Sequence, residues 1–180
     1  MIIKQVEHYL EWDKRLFLAK SFLLGGLLNI QKNLKYYENR GKEELREVVE
    51  QISSKIGEIE GITTIPNLMQ LEGEVRKVYY GGFPFERRTK RPPQNPLNAM
   101  ISFGNSLLYT TILSEIYRTH LDPRIGYLHE SNRRSFSLNL DIAEVFKPII
   151  VDKVIFSLIN KRQLDEKHFI KDVGFSHLTE

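Results

Sequence analysis

The chain has 180 residues, of which 41% are hydrophobic and 27% charged, with 26 basic and 23 acidic side chains giving a formal charge of +3. That length suits one domain with a single buried core, and the balance lies far from the charge-rich, apolar-poor signature of disorder. The absence of cysteine excludes disulfides, thiolate metal sites and cysteine nucleophiles, fits a reducing cytoplasm, and leaves oxygen and imidazole as the available metal donors.

The opening MIIKQVEHYLEWDKR carries acids where a secretory leader would be apolar, so it does not read as a signal peptide. The longest greasy run, Leu16 to Ile30, is interrupted by Lys20 and is too short to span a bilayer. A soluble protein with no membrane partner is expected.

From Val6 to Tyr37, apolar residues recur at helical spacing, with Gly25 and Gly26 as the soft point; one long helix or two in sequence are predicted. After Asn39-Arg40-Gly41, a second segment runs from Lys42 to Lys55. A third is capped by Thr63 or Thr64, tolerates Pro66 in its first turn and stops at Gly81-Gly82. The proline-rich stretch Phe83 to Gln94 is a loop. Helical spacing returns from Pro96 to His120 and again from about Ser135 to Asn160, where Pro148 forces a kink or a break. No window shows sustained alternation between hairpin turns. The expected class is all-α, with residues 1–162 forming a multi-helix catalytic domain and 163–180 a partly disordered polar tail.

Three segments offer hard-metal ligands: Glu72 in LMQLEGEVRKVYY, His129 in LDPRIGYLHE, and Asp141 with Glu144 in SLNLDIAEVF. Residues three apart on a helix share a face, so Asp141 and Glu144 can look at one point beside the apolar stripe of Ile142, Val145, Phe146 and Ile149. Carboxylates with one imidazole suit Mn²⁺ or Mg²⁺, the ions that polarise a phosphoryl oxygen and activate water or a sugar hydroxyl. Taken singly, each residue also has an ordinary reading, since helix carboxylates are usually solvated charges and a lone histidine is usually a satisfied one.

The words around these residues are more specific than the residues. RPPQNPLNAMISFGNSLLY, LDPRIGYLHE and SFSLNLDIAEVFKPIIVDKVIFSLIN follow LEGEVRKVYY in order, and together with the opening KQVEHYLEWDKRLFLAKSFLLGGLLNIQ they resemble the CRISPR-associated spacer-acquisition integrase over nearly the whole chain. By that resemblance Glu72, His129 and Glu144 are the metal ligands, and Asp141 is the accompanying acid, counted with them as catalytic. The family activity is metal-dependent cleavage of DNA and transesterification, in which the terminal hydroxyl of a spacer attacks a phosphodiester at the CRISPR repeat.

The resemblance also implies partners: branched or spacer DNA, the CRISPR repeat, the small ferredoxin-like protein of the adaptation complex, and a second copy in a homodimer. Two positions depart from the family pattern, Asn95 where an acid is common and Asn105 where some relatives carry an aromatic. The family's N-terminal β-rich domain is missing, which implies a truncated or degenerate product. A catalytically silent DNA-binding or assembly fragment is therefore the alternative reading.

Arg87, Arg88, Lys90 and Arg91 in the loop with Phe83 and Phe85, Arg76 and Lys77 on the helix of Glu72, and Arg133 and Arg134 after His129 are expected to meet DNA phosphates. Tyr79, Tyr80 and Tyr109 are candidates for base stacking, although aromatics at helical spacing more often belong to a core.

Overall fold

The computed structural model describes residues 2–81, 96–130, 136–161, 163, 169–172 and 175–178. The body is built of helices α1 (Ile2–Leu10), α2 (Trp12–Glu38), α3 (Arg46–Glu58), α4 (Ile65–Gly81), α5 (Pro96–Tyr117), α6 (Ser137–Lys147) and α7 (Lys153–Asn160). The all-α reading stands. The tail adds two short antiparallel strands, β1 (Phe169–Asp172) and β2 (Phe175–Leu178), with Phe169 opposite Leu178. At four residues each, they are too short for an alternation pattern to register.

The long α2 is the axis, and α1, α3, α4 and α6 all pack on it. Its residues Leu23, Leu27, Ile30 and Leu34 are fully enclosed, and they meet Ile52 of α3, Leu68 and Val75 of α4, and Ala143 of α6 in one core. The expected weak point at Gly25-Gly26 is not where the chain breaks. The break falls at Glu11, whose backbone is extended at the start of α2. The glycines lie in mid-helix because α6 crosses there: a Cβ on Gly26 would stand 2.9 Å from the carbonyl oxygen of Glu144. Asn29 Nδ2 then donates to the Val145 carbonyl at 2.8 Å, tying the same crossing.

Elsewhere local chemistry sets the ends as the sequence suggests. Thr64 Oγ1 accepts from the backbone N–H of Asn67 at 3.3 Å in the first turn of α4. Pro148 lacks the N–H that the Glu144 carbonyl needs, and the chain answers with a wide π-helical turn, Pro148–Asp152, before α7 continues. Among the described residues no helix is long and apolar enough to cross a membrane.

A candidate acid centre between two helices

The stretch between α5 and α6 is stitched to its neighbours by buried side chains. Gln5 of α1 donates from Nε2 to the carbonyls of Asp122 and Ile125, both at 2.9 Å, and accepts from the Asp122 N–H at 2.8 Å. Ser137, at the start of α6, accepts from the Gly126 N–H at 2.9 Å and donates to the Arg124 carbonyl at 2.6 Å. Gly126 passes so close that a Cβ would lie 2.8 Å from Asp141 Oδ2. The segment is thereby laid on α6.

Asp141 is the hub of that contact and is completely buried. Its Oδ2 accepts from the N–H groups of Tyr127 and Leu128 at 2.6 and 3.0 Å, and its Oδ1 from the N–H of His129 at 2.9 Å. Oδ1 also meets His129 Nδ1 at 2.8 Å. With its oxygens already accepting from three backbone N–H groups, Asp141 is the acceptor of that contact and Nδ1 its donor, which leaves Nε2 as the ring nitrogen outside it. A carboxylate holding the far nitrogen of a histidine is how metal-ligating imidazoles are usually oriented. Asp141 therefore positions His129, and its oxygens are spent on that task.

Glu72 and Glu144 arrive from different helices, α4 and α6, and both are ion-paired to the Arg76 guanidinium, Glu72 through Nε and Glu144 through Nη2. Lys147, one turn beyond Glu144, places Nζ 2.6 Å from Glu144 Oε1 and 5.0 Å from the centroid of the Tyr109 ring. Asp152, brought inward by the π-turn and 1% exposed, accepts from Tyr80 Oη at 3.4 Å. Three carboxylates, Glu72, Glu144 and Asp152, thus surround two cations in a water-poor setting.

The charges respond to that setting. Burial works against the Arg76 guanidinium, but Tyr80 and the carboxylates of Glu72 and Asp152 overcome it and hold its pKa above the ordinary arginine range. Burial, reinforced by the positive charge of Arg76, pulls Lys147 below the ordinary lysine value. Burial likewise pushes the Tyr79 phenol well up, so it stays protonated as it accepts from Asn33 Nδ2 at 2.9 Å.

Measured against the sequence reading, the structure joins Glu72 with Glu144 and His129 with Asp141. It does not draw three ligands onto one point: among the described residues no three His, Asp or Glu side chains stand close enough to share an ion. The physical reason is Arg76, whose guanidinium already lies between the two glutamates. Arg76 itself was expected to reach outward to phosphates, whereas its side chain is 13% exposed and turned inward; Lys77 is the exposed cation of that turn. Arg87, Arg88, Lys90, Arg91, Arg133 and Arg134, with Phe83 and Phe85, lie outside the described residues. Tyr79 and Tyr80 are core, and Tyr109 is half-buried under Lys147.

The sequence reading overlooked Lys147 and Asp152. The i, i+3 spacing of Glu144 and Lys147 and the i, i+4 spacing of Glu72 and Arg76 were visible ion-pair signals. Nothing in the sequence marked the inward turn of Asp152.

A pair of glutamates from two helices that already shares one cation is oxygen-donor chemistry of the kind a hard divalent ion takes, while His129, held by Asp141, is not grouped with them. The class these features define is an all-helical domain with a buried, ion-paired acid centre between two of its helices. The family model for CRISPR associated protein Cas1 matches residues 1–180, and the chain belongs to that family.

The chain is 55% identical over 180 residues to a CRISPR-associated endonuclease Cas1 of Thermodesulfovibrio yellowstonii, covering 95% of this chain and 54% of that protein. The structure of a Cas1 protein from Thermotoga maritima superposes with a TM-score of 0.90 at 44% identity, over 99% of this chain and 58% of that one. A casposase bound to integration product shares the fold at 23% identity and a TM-score of 0.87, over 98% of this chain and 52% of that chain. The chain spans about half the length of the relatives it matches.

Proposed function

We propose that this chain is the helical catalytic part of a divalent-metal-dependent DNA endonuclease and integrase of CRISPR adaptation. The observation that carries the reading is the meeting of Glu72 and Glu144 on one cation, with His129 held by Asp141 on the same helix as Glu144. Glu72, Glu144 and Nε2 of His129 would hold Mn²⁺ or Mg²⁺. Such an ion, when bound, polarises a phosphoryl oxygen and activates water or a 3′ hydroxyl for in-line attack.

The chain's own groups do the rest. Asp141 keeps His129 in one tautomer and one orientation, and Gly26 and Gly126 let α2 and the His129 segment close on α6. The basic side chains Arg87, Arg88, Lys90, Arg91, Arg133 and Arg134 would steer the DNA backbone. Family membership supports as partners spacer or branched DNA, the CRISPR repeat, the small ferredoxin-like adaptation protein and a second copy.

The test is manganese-dependent nicking of a branched DNA by this chain. Glu72→Ala, His129→Ala and Glu144→Ala should each abolish it with helicity unchanged, and activity retained in all three would end the reading. The closure of Glu72 and Glu144 on Arg76 favours a second reading, a catalytically silent assembly fragment. Salt-sensitive DNA binding without nicking at any manganese concentration would select it.

A further inference from the structure

A second charged region lies between the C-terminal end of α2 and one side of α7. Tyr36, Tyr37, Arg40, Lys42, Lys153, Ser157 and Lys161 line a cavity of about 370 Å³. One wall carries Tyr36 in the last turn of α2 and Arg40 in the turn just beyond its cap, and the other is a helical register, with Lys153, Ser157 and Lys161 at i, i+4, i+8 on α7 and its cap. The Arg40 guanidinium sits over the Tyr36 ring at 4.2 Å, and that ring is 41% exposed.

Among the described residues none of the four cations has an acidic partner. Glu38, the nearest acid along α2, is taken by Arg46. The C-termini of α2 and α7 account for only part of this charge, since each carries about half a negative elementary charge; among the described residues no acidic side chain answers the rest. Lys153 and Lys161 are eight residues apart, roughly 12 Å along a helix axis. That spread suits several successive phosphates, spaced about 3.4 Å along one strand of a duplex, better than a single anion.

The geometry points to this groove as a second contact for the backbone of a nucleic-acid strand, with Arg40 and the α7 lysines on phosphates and Tyr36 offering a ring face to an unpaired base. It rests on the DNA-acting reading above, and adds a site whose lining residues are none of those in the acid centre. The prolonged cationic wall holds a strand in register while its reactive part lies elsewhere.

The test is fluorescence anisotropy of labelled single-stranded and duplex DNA with the full chain over a salt series. Removing three phosphate contacts should make the slope of log affinity against log salt shallower by about two for single strands and nearly three for duplex. The variant is Arg40→Gln/Lys153→Gln/Lys161→Gln, set against a control that removes the same charge at Lys4, Lys14 and Arg118. The groove variant should show that change with a loss of at least about tenfold in affinity, and the control a change below one. Tyr36→Ala should weaken single-stranded binding about fivefold or more and duplex binding far less.

Equal slopes for wild type and groove variant, with DNA still bound, would overturn the groove and leave the proposed function standing. No DNA binding by the wild type at any salt would overturn both. Displacement of the DNA from the groove by millimolar pyrophosphate would show a site for small phosphates and overturn the strand assignment.

Discussion

The acid centre between α4 and α6 and the basic groove between α2 and α7 are both dense in charge, but they are built on opposite rules. In the acid centre every ionised group is enclosed, and each carboxylate is answered from within by Arg76, Lys147, Tyr80 or backbone N–H groups. In the groove, Arg40, Lys153 and Lys161 are exposed and have no acidic partner among the described residues. The difference follows from solvent: a charge taken out of water costs several kcal/mol unless it is paired, whereas an exposed one is screened and can wait for a ligand. A bound ion must therefore compete with protein cations in the first region, and a bound strand competes only with salt in the second.

The comparison breaks most visibly at Asp141. Asp141→Ala leaves three backbone N–H groups and an imidazole without their acceptor, and should cost at least about 4 kcal/mol in urea unfolding, at roughly 1–3 kcal/mol for each of the four orphaned groups. A loss below about 1 kcal/mol would mean that the hub is not the organiser described here. Gly26→Ala comes next, at about 1–3 kcal/mol, because its methyl would press on the Glu144 carbonyl and α6 would have to shift. The same variant should lower manganese affinity, and a normal affinity would separate helix packing from the site. At the bottom of the scale, Lys153→Gln in the groove should leave the urea midpoint where it is. A clear fall would show that the groove charges are structural after all.

Much of this molecule was legible in its letters. Helix α4 begins at the threonine cap and ends at the glycines where the sequence places those signals, and Pro148 interrupts the last helix as its missing N–H requires. Glu72 and Glu144, singled out in the sequence from separate segments, both reach the Arg76 guanidinium. What could not be read depends on tertiary approach. Gly25-Gly26 looks like a flexible point until α6 is laid across it, and Asp141 looks like a fourth ligand until the backbone of Tyr127, Leu128 and His129 folds onto it. Arg76 reads as a surface cation because periodicity cannot say which neighbour a long side chain will choose. The groove escaped notice because Arg40 and Lys161 are far apart in the chain and each taken alone is an ordinary helix-end cation.

The claim on which the rest depends is that α4 and α6 jointly hold one cation, with Arg76 in that place when no metal is present. Calorimetric titration with manganese reads this directly. The account predicts one site in the wild type, none in Glu144→Ala, and binding about tenfold tighter in Arg76→Gln, whose metal-free form should be destabilised by about 3 kcal/mol as two buried carboxylates lose their partner. Equal manganese uptake by the wild type and Glu144→Ala would contradict it.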